Sequence, residues 1–322
     1  MAEHKKQHFV PRSYLQAWCD PNTPEGQEPY VWVFSKDGSN PRRRAPSNLF
    51  HETDLYTIEL PGGVRNLVLE HGLSQLENEF VSIRDRILQA QQPLAPGSRE
   101  HAYLCAFIAA AQARTPAQRD HQQKEWGKVL DMGNKMLEWA KTATPEQKEA
   151  AAALSSLDRG PYMDHEHVKM LAEKPLQAAM AIAIEVATPL LMGLDLAVFT
   201  CPEDAPGFIT SDNPCVWFDA EACKRPPFYQ SLGLCYESIE ITLPISPSQI
   251  ILLNRRKYEG YFSAPEKLVD ELNRRTRSSC ADYFVNNTNA VRPIWLEQGV
   301  EPEDSWRKRH PESMNRNARE EE

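Results

Sequence analysis

The chain of 322 residues is long enough for one large domain or two ordinary ones. Its 41% apolar and 25% charged residues are those of a folded, soluble protein and exclude a wholly disordered chain. A net charge of −9 gives no global attraction to nucleic acid, and the absence of GxGxxG and GxxxxGK[ST] argues against the common nucleotide-binding loops.

The chain opens MAEHKKQHF, basic but with no apolar segment behind it, so no signal peptide is expected. His8 to Arg12 reads as extended, because Pro11 disfavours a helix before it. Ser13 to Cys19 reads as one or two helical turns. Tyr30 to Phe34 and Leu55 to Leu60 are rich in β-branched and aromatic residues and are bounded by Pro and Gly turns, so both are predicted strands. Between them, Arg42-Arg43-Arg44 is the best candidate for a local basic patch, although such runs are commonly solvated loops.

Leu69, Leu73, Leu76, Phe80, Ile83 and Ile87 recur at alternating steps of four and three, which predicts an amphipathic helix over 67–90. Glu77 and Glu79 flank that stripe on opposite sides. Ser98 is a good N-cap for a helix over 99–114 that is apolar nearly all round and therefore central. Thr115-Pro116-Ala117-Gln118 and Thr144-Pro145-Glu146-Gln147 each join a capping box to a first-turn proline. Helices should restart at both, one running toward Lys141 and one over 145–157. Arg159-Gly160-Pro161 then interrupts the chain, and a further helix is predicted over 165–192.

The longest unbroken apolar run, Ala102 to Ala111, falls short of the about 20 residues that span a bilayer. Leu176 to Phe199 is more membrane-like but carries Gln177, Glu185, Pro189 and Asp195. A charge near the bilayer centre costs about 2.5–3.5 kcal/mol, so the stretch reads as a buried helix followed by a strand, with no membrane partner.

Short strands are predicted over 194–200, 208–210, 216–218, 238–243 and 249–254. A helix starts at Ser263-Ala264-Pro265-Glu266. The pattern is α+β: a mostly helical middle over 67–192, a strand-rich region over 194–256, and N-terminal and C-terminal strands meeting in one mixed or antiparallel sheet. A single domain over 1–296 is expected, with a charged, disordered tail over 297–322. The seven cysteines are odd in number and include no C-x-x-C, which argues against a zinc ribbon and for a reducing, cytoplasmic setting.

Four segments together resemble one bacterial family, the DUF4238 proteins. The first is Gln7-His8-Phe9-Val10-Pro11-Arg12-Ser13-Tyr14-Leu15, similar to the family's opening QHxVPxxYL. The second is the helix containing Leu76-Glu77. The third is Phe107 to Pro116 (FIAAAQARTP), and the fourth is Ile209-Thr210-Ser211-Asp212-Asn213-Pro214, followed by Leu243-Pro244-Ile245-Ser246-Pro247. The resemblance spans about residues 7–290. The family name brings no activity with it, so the chemistry is argued from residue types.

His8 has the side chain best suited to acid–base work near neutral pH, and equally one that fills a gap in a core. Arg114 ends an apolar helix. Either the helix dipole holds it there with a partner such as Asp212 or Glu77, or its guanidinium clamps a phosphate or carboxylate. Asp212 lies in a turn-forming sequence, and it is either a turn residue or a carboxylate for base or metal duty.

The leading expectation is a hydrolase of a phosphate-containing or nucleic-acid substrate, in the manner of a metal-dependent phosphodiesterase or nuclease. His8, Asp212 and Glu77 would be catalytic, and Gln7, Arg12, Gln112, Arg114, Ser211 and Asn213 would bind substrate. The metal ligands are unassigned, with a divalent ion as the candidate cofactor. Net charge does not support a nucleic-acid partner. The alternative is a non-catalytic binding or sensor protein in which the same residues brace helices against sheet. His165-Glu166-His167 is set aside, because residues two apart do not share a helix face.

Overall fold

The computed structural model describes residues 6–90, 92, 94–155 and 164–310. Its N-terminal part is built of short strands around one tight helical corner. Lys6–His8 pairs antiparallel with His51–Thr53, which sets His8 opposite His51. Pro11, extended at φ −59°, ψ 141°, leads into helix α1, Arg12–Leu15, and then a 3-10 turn, Gln16–Trp18. Leu55 and Tyr56 are buried in a turn, so the strand predicted over 55–60 begins only at Ile58 and pairs with Val64–Asn66.

Helix α2, Val68–Ala90, buries the predicted stripe through Leu73, Phe80, Ile83 and Ile87. Helix α3, Arg99–Ala113, is the central element. Ser98 caps it by accepting from the His101 N–H, and it packs between α2 and a later helix. Phe80 of α2 stacks on Phe107 of α3 with ring centres 3.6 Å apart. Helix α4, Pro116–Thr142, and helix α5, Pro145–Ser155, both start where the capping boxes predict, and Thr144 and Gln147 exchange reciprocal bonds. The expected break at Arg159-Gly160-Pro161 lies outside the described residues.

The single helix predicted over 165–192 is two: α6, His165–Glu173, and α7, Pro175–Met192. Lys174 leaves helical geometry (φ −135°, ψ 59°), and Pro175 has no N–H to continue the ladder. Nor is α7 a buried helix. Leu176, Met180 and Leu191 face the core, while Ile182, Val186 and Leu190 are exposed. In length and composition α7 is long and apolar enough to cross a bilayer, a test that core helices also pass.

A five-stranded sheet follows, in the order Gly260–Ser263, Asp195–Thr200, Gln249–Asn254, Ile239–Ser246, Val216–Asp219. Its neighbours are antiparallel except for the first pair. A four-stranded antiparallel sheet runs Arg42–Arg44, Val31–Ser35, Tyr283–Asn286, Thr210–Ser211, and so joins N-terminal to C-terminal strands within an α+β architecture. The triple arginine is therefore an edge strand rather than a loop. The Arg43 guanidinium lies 4.9 Å from the ring centres of both Tyr30 and Trp32.

Helix α8, Glu266–Ser279, starts where its signal predicts and covers one end of the sheets. Ser305 caps a short helix, Trp306–Arg309, and Arg309 donates to Lys224 O at 2.6 Å. Lys224 in turn pairs with Asp304. Residues 311–322 of the expected tail lie outside the described residues.

Candidate functional site

The singled-out residues fall into three groups. Gln7 is fully buried. Its Oε1 accepts from the Tyr56 N–H at 2.5 Å and its Nε2 donates to Thr57 Oγ1 at 3.1 Å. The Tyr56 hydroxyl lies 3.4 Å from His8 O and 3.3 Å from Arg114 O, so one side chain ties the N-terminal motif to the end of α3. Burial pushes the Tyr56 hydroxyl well above its ordinary pKa. Arg114 is only 1% exposed and donates from Nη1 to Glu77 Oε1 at 2.7 Å. Its Nε and Nη2, and Oε1 of Gln112, have no hydrogen-bond partner among the described residues. The partner of Arg114, left open between Asp212 and Glu77 by the sequence, is Glu77.

Asp212 belongs to a second group. Its carboxylate accepts from the N–H groups of Ala281, Asp282 and Tyr283 at 2.7–2.8 Å. Burial pushes its pKa above the usual carboxylate value, against those three donors. Ser211 Oγ accepts from the Asn213 N–H, and Asn213 Nδ2 donates to Ser279 O at 3.1 Å. Together these residues clamp the end of α8 and the start of the strand Tyr283–Asn286 onto Thr210–Ser211. Among the described residues no hydrogen bond or ion pair joins Asp212 to His8, Glu77 or Arg114.

Two residues that were not singled out tie the N-terminal corner to the region of the fourth motif. Tyr14 donates its hydroxyl to Pro244 O at 2.6 Å and lies 2.8 Å from Thr210 Oγ1. Trp18 Nε1 donates to Phe208 O at 2.8 Å. The signal for both was an aromatic residue with a polar tip in an apolar stretch, since such tips find partners when buried.

The third group is open. His8 Nε2 lies 3.4 Å from Ser47 O, with the His51 ring edge-on at 5.4 Å. Burial, with His51, Lys6 and Arg12 adding to it, lowers the His8 pKa to about 4, so the imidazole is neutral at pH 7. Lys6 Nζ donates to Ser47 O and to Asn48 Oδ1. Arg12 is exposed, and its guanidinium makes no hydrogen bond or ion pair among the described residues. It lines a cavity of about 320 Å³ with Gln16, Cys19, Glu28, Pro29 and Ser47. Glu28 is tethered there by Ser47 Oγ at 3.2 Å.

Of the nine residues, Arg12 thus lines an open cleft, and His8 touches it only through Ser47 O. Gln7, Glu77, Arg114, Ser211, Asp212 and Asn213 are held in internal contacts, and Gln112 has a buried acceptor unmet. No group of three His, Cys, Asp or Glu side chains suited to a metal occurs among the described residues. A family model described as "Protein of unknown function (DUF4238)" matches residues 6–290. No curated protein and no solved structure matches the chain.

Proposed function

The chain belongs to the DUF4238 family, a membership that carries no activity with it, and on the geometry we propose that it binds a phosphate-bearing ligand at the cleft beside its N-terminal motif. The observation that carries this reading is Arg12: a guanidinium with no hydrogen-bond or ion-pair partner among the described residues, lining a cavity of a size that admits a phosphate and part of what it is joined to. Lys6 and His8 both reach Ser47 O behind the cleft wall, and the His51 ring lies edge-on to His8. Glu28 disfavours a bare polyanion and favours a ligand with a hydroxyl or amine next to its phosphate. The net charge of −9 points to a ligand of mononucleotide size rather than a duplex.

Hydrolysis of the same ligand is the second reading, and His8 favours it. An imidazole kept unprotonated at pH 7, next to Ser47 of the cleft, is in the form a general base requires. Asp212 and Glu77 enter neither reading, because both are engaged elsewhere. Both readings keep the cytoplasmic setting that seven free thiols favour.

The test is calorimetric titration with inorganic phosphate, pyrophosphate and a nucleoside monophosphate. Arg12→Gln should weaken binding by about tenfold or more, as loss of a charge-assisted bond does, with unchanged melting. No binding to wild type, or equal binding to the variant, defeats the reading. Turnover of bis-p-nitrophenyl phosphate, with and without divalent ions, separates the second reading. It should vanish in His8→Asn while binding persists.

A further inference from the structure

A separate cavity of about 470 Å³ opens at the start of α3, lined by Leu94, Pro96, His101, Met192, Asp195 and Glu259 among others. His101 is almost fully buried there. Its Nδ1 accepts the Gly97 N–H at 3.1 Å, which leaves the ring proton on Nε2. Burial lowers the His101 pKa, so the ring stays neutral and that tautomer persists. The Nε2–H has no acceptor among the described residues. A buried donor left unmet carries its full desolvation penalty, so it calls for an acceptor that the described residues do not supply.

The same cavity holds two carboxylates. Asp195 Oδ2 accepts from the Lys257 N–H at 3.0 Å, Glu259 is exposed, and neither is ion-paired with a Lys or Arg among the described residues. Leu94, Pro96 and Met192 supply an apolar wall.

We propose that this cavity is a ligand site, distinct from the Arg12 cleft, for a small apolar primary amine that carries a carbonyl group, such as the amide of a branched-chain amino acid. The carbonyl accepts from His101 Nε2–H, the ammonium meets Asp195 and Glu259, and the alkyl group lies on Leu94 and Met192. A free amino acid fits less well, because its carboxylate would face two others.

Leucinamide is the probe, titrated calorimetrically at pH 7, where an α-amino group of pKa about 7.7–8.0 is mostly protonated. Isovaleramide lacks the amine and 3-methylbutylamine lacks the carbonyl, and each should bind about tenfold more weakly. His101→Phe keeps the ring's shape and removes both the Nε2 donor and the Nδ1 acceptor of the Gly97 N–H, so 3-methylbutylamine serves as the control for an intact cavity. The substitution should weaken leucinamide about fivefold to tenfold and leave 3-methylbutylamine unchanged. Asp195→Asn should weaken both amines and spare isovaleramide, and Arg12→Gln should alter none of them. Failure of leucinamide to bind the wild type, or equal binding by all three variants, overturns the proposal. Retained affinity in His101→Phe would mean that Nε2 meets only water, and overturns it too.

Discussion

Glu77 meets Arg114 through one nitrogen: its Oε1 accepts from Nη1 at 2.7 Å, while Nε and Nη2 of the same guanidinium find no partner among the described residues. Arg114 is 1% exposed against 23% for the Glu77 side chain, so the two ends of the pair are unequal. Removing Glu77 leaves a charge sealed in the core. Removing both leaves an apolar gap that methionine and leucine can fill.

The pair therefore predicts an asymmetric mutational pattern. Glu77→Gln should lower the unfolding free energy by about 3 kcal/mol, as breaking a buried pair does. Glu77→Leu combined with Arg114→Met should recover most of that loss. Urea unfolding measures both. A Glu77→Gln protein as stable as the wild type would mean that another acceptor, such as water, already neutralises Arg114.

Asp212 distinguishes a clamp from a catalytic carboxylate. Asparagine offers one acceptor oxygen where three N–H groups now converge, and its own amide would face a donor. Asp212→Asn should cost about 2 kcal/mol of stability. Phosphate affinity at the Arg12 cleft should not change. A variant that melts like the wild type but loses a measurable turnover would return Asp212 to catalysis.

Local signals made the helical half of this fold legible. The stripe from Leu69 to Ile87 specified α2, and Ser98, Thr115 and Thr144 marked three helix starts that the structure keeps. The elements that escaped were those whose reason lies far along the chain. Arg42–Arg44 has no apolar alternation because it is an exposed edge strand, defined only by its pairing with Val31–Ser35. Gly260–Ser263 is a strand through its parallel partner Asp195–Thr200. The candidate site shows the same limit. Polar residues in apolar surroundings mark burial, but Gln7 finds its partner at Tyr56 and Asp212 at Tyr283, separations at which a sequence cannot tell an internal acceptor from a ligand.

His8 should impose an acid limit on stability. Its folded pKa of about 4 lies below the ordinary 6.5, so between these values the unfolded chain holds a proton that the folded chain refuses. Its contribution is complete above pH 6.5 and is lost as pH falls toward 4. Partial exposure screens the group, which leaves about 2 kcal/mol at stake. His51 and His101 are lowered in the same direction. The difference in unfolding free energy between wild type and His8→Asn, followed from pH 7 to pH 4, isolates the His8 share. A difference that does not vary with pH would show that His8 titrates alike in both states.

Tyr14 fixes the N-terminal motif to the sheet, and its two contacts should differ in weight. The hydroxyl donates to Pro244 O at 2.6 Å and accepts from Thr210 Oγ1 at 2.8 Å. Tyr14→Phe strands a buried carbonyl and should cost about 1–3 kcal/mol. Thr210→Val removes only the second contact and keeps a branched side chain of similar shape, so about 1 kcal/mol or less is expected. The double variant should cost less than the sum of the singles, because each has already broken the shared bond. Chemical denaturation of the four proteins completes the cycle. Strict additivity would mean that the two hydroxyls act independently, and that Tyr14 holds the sheet through Pro244 alone.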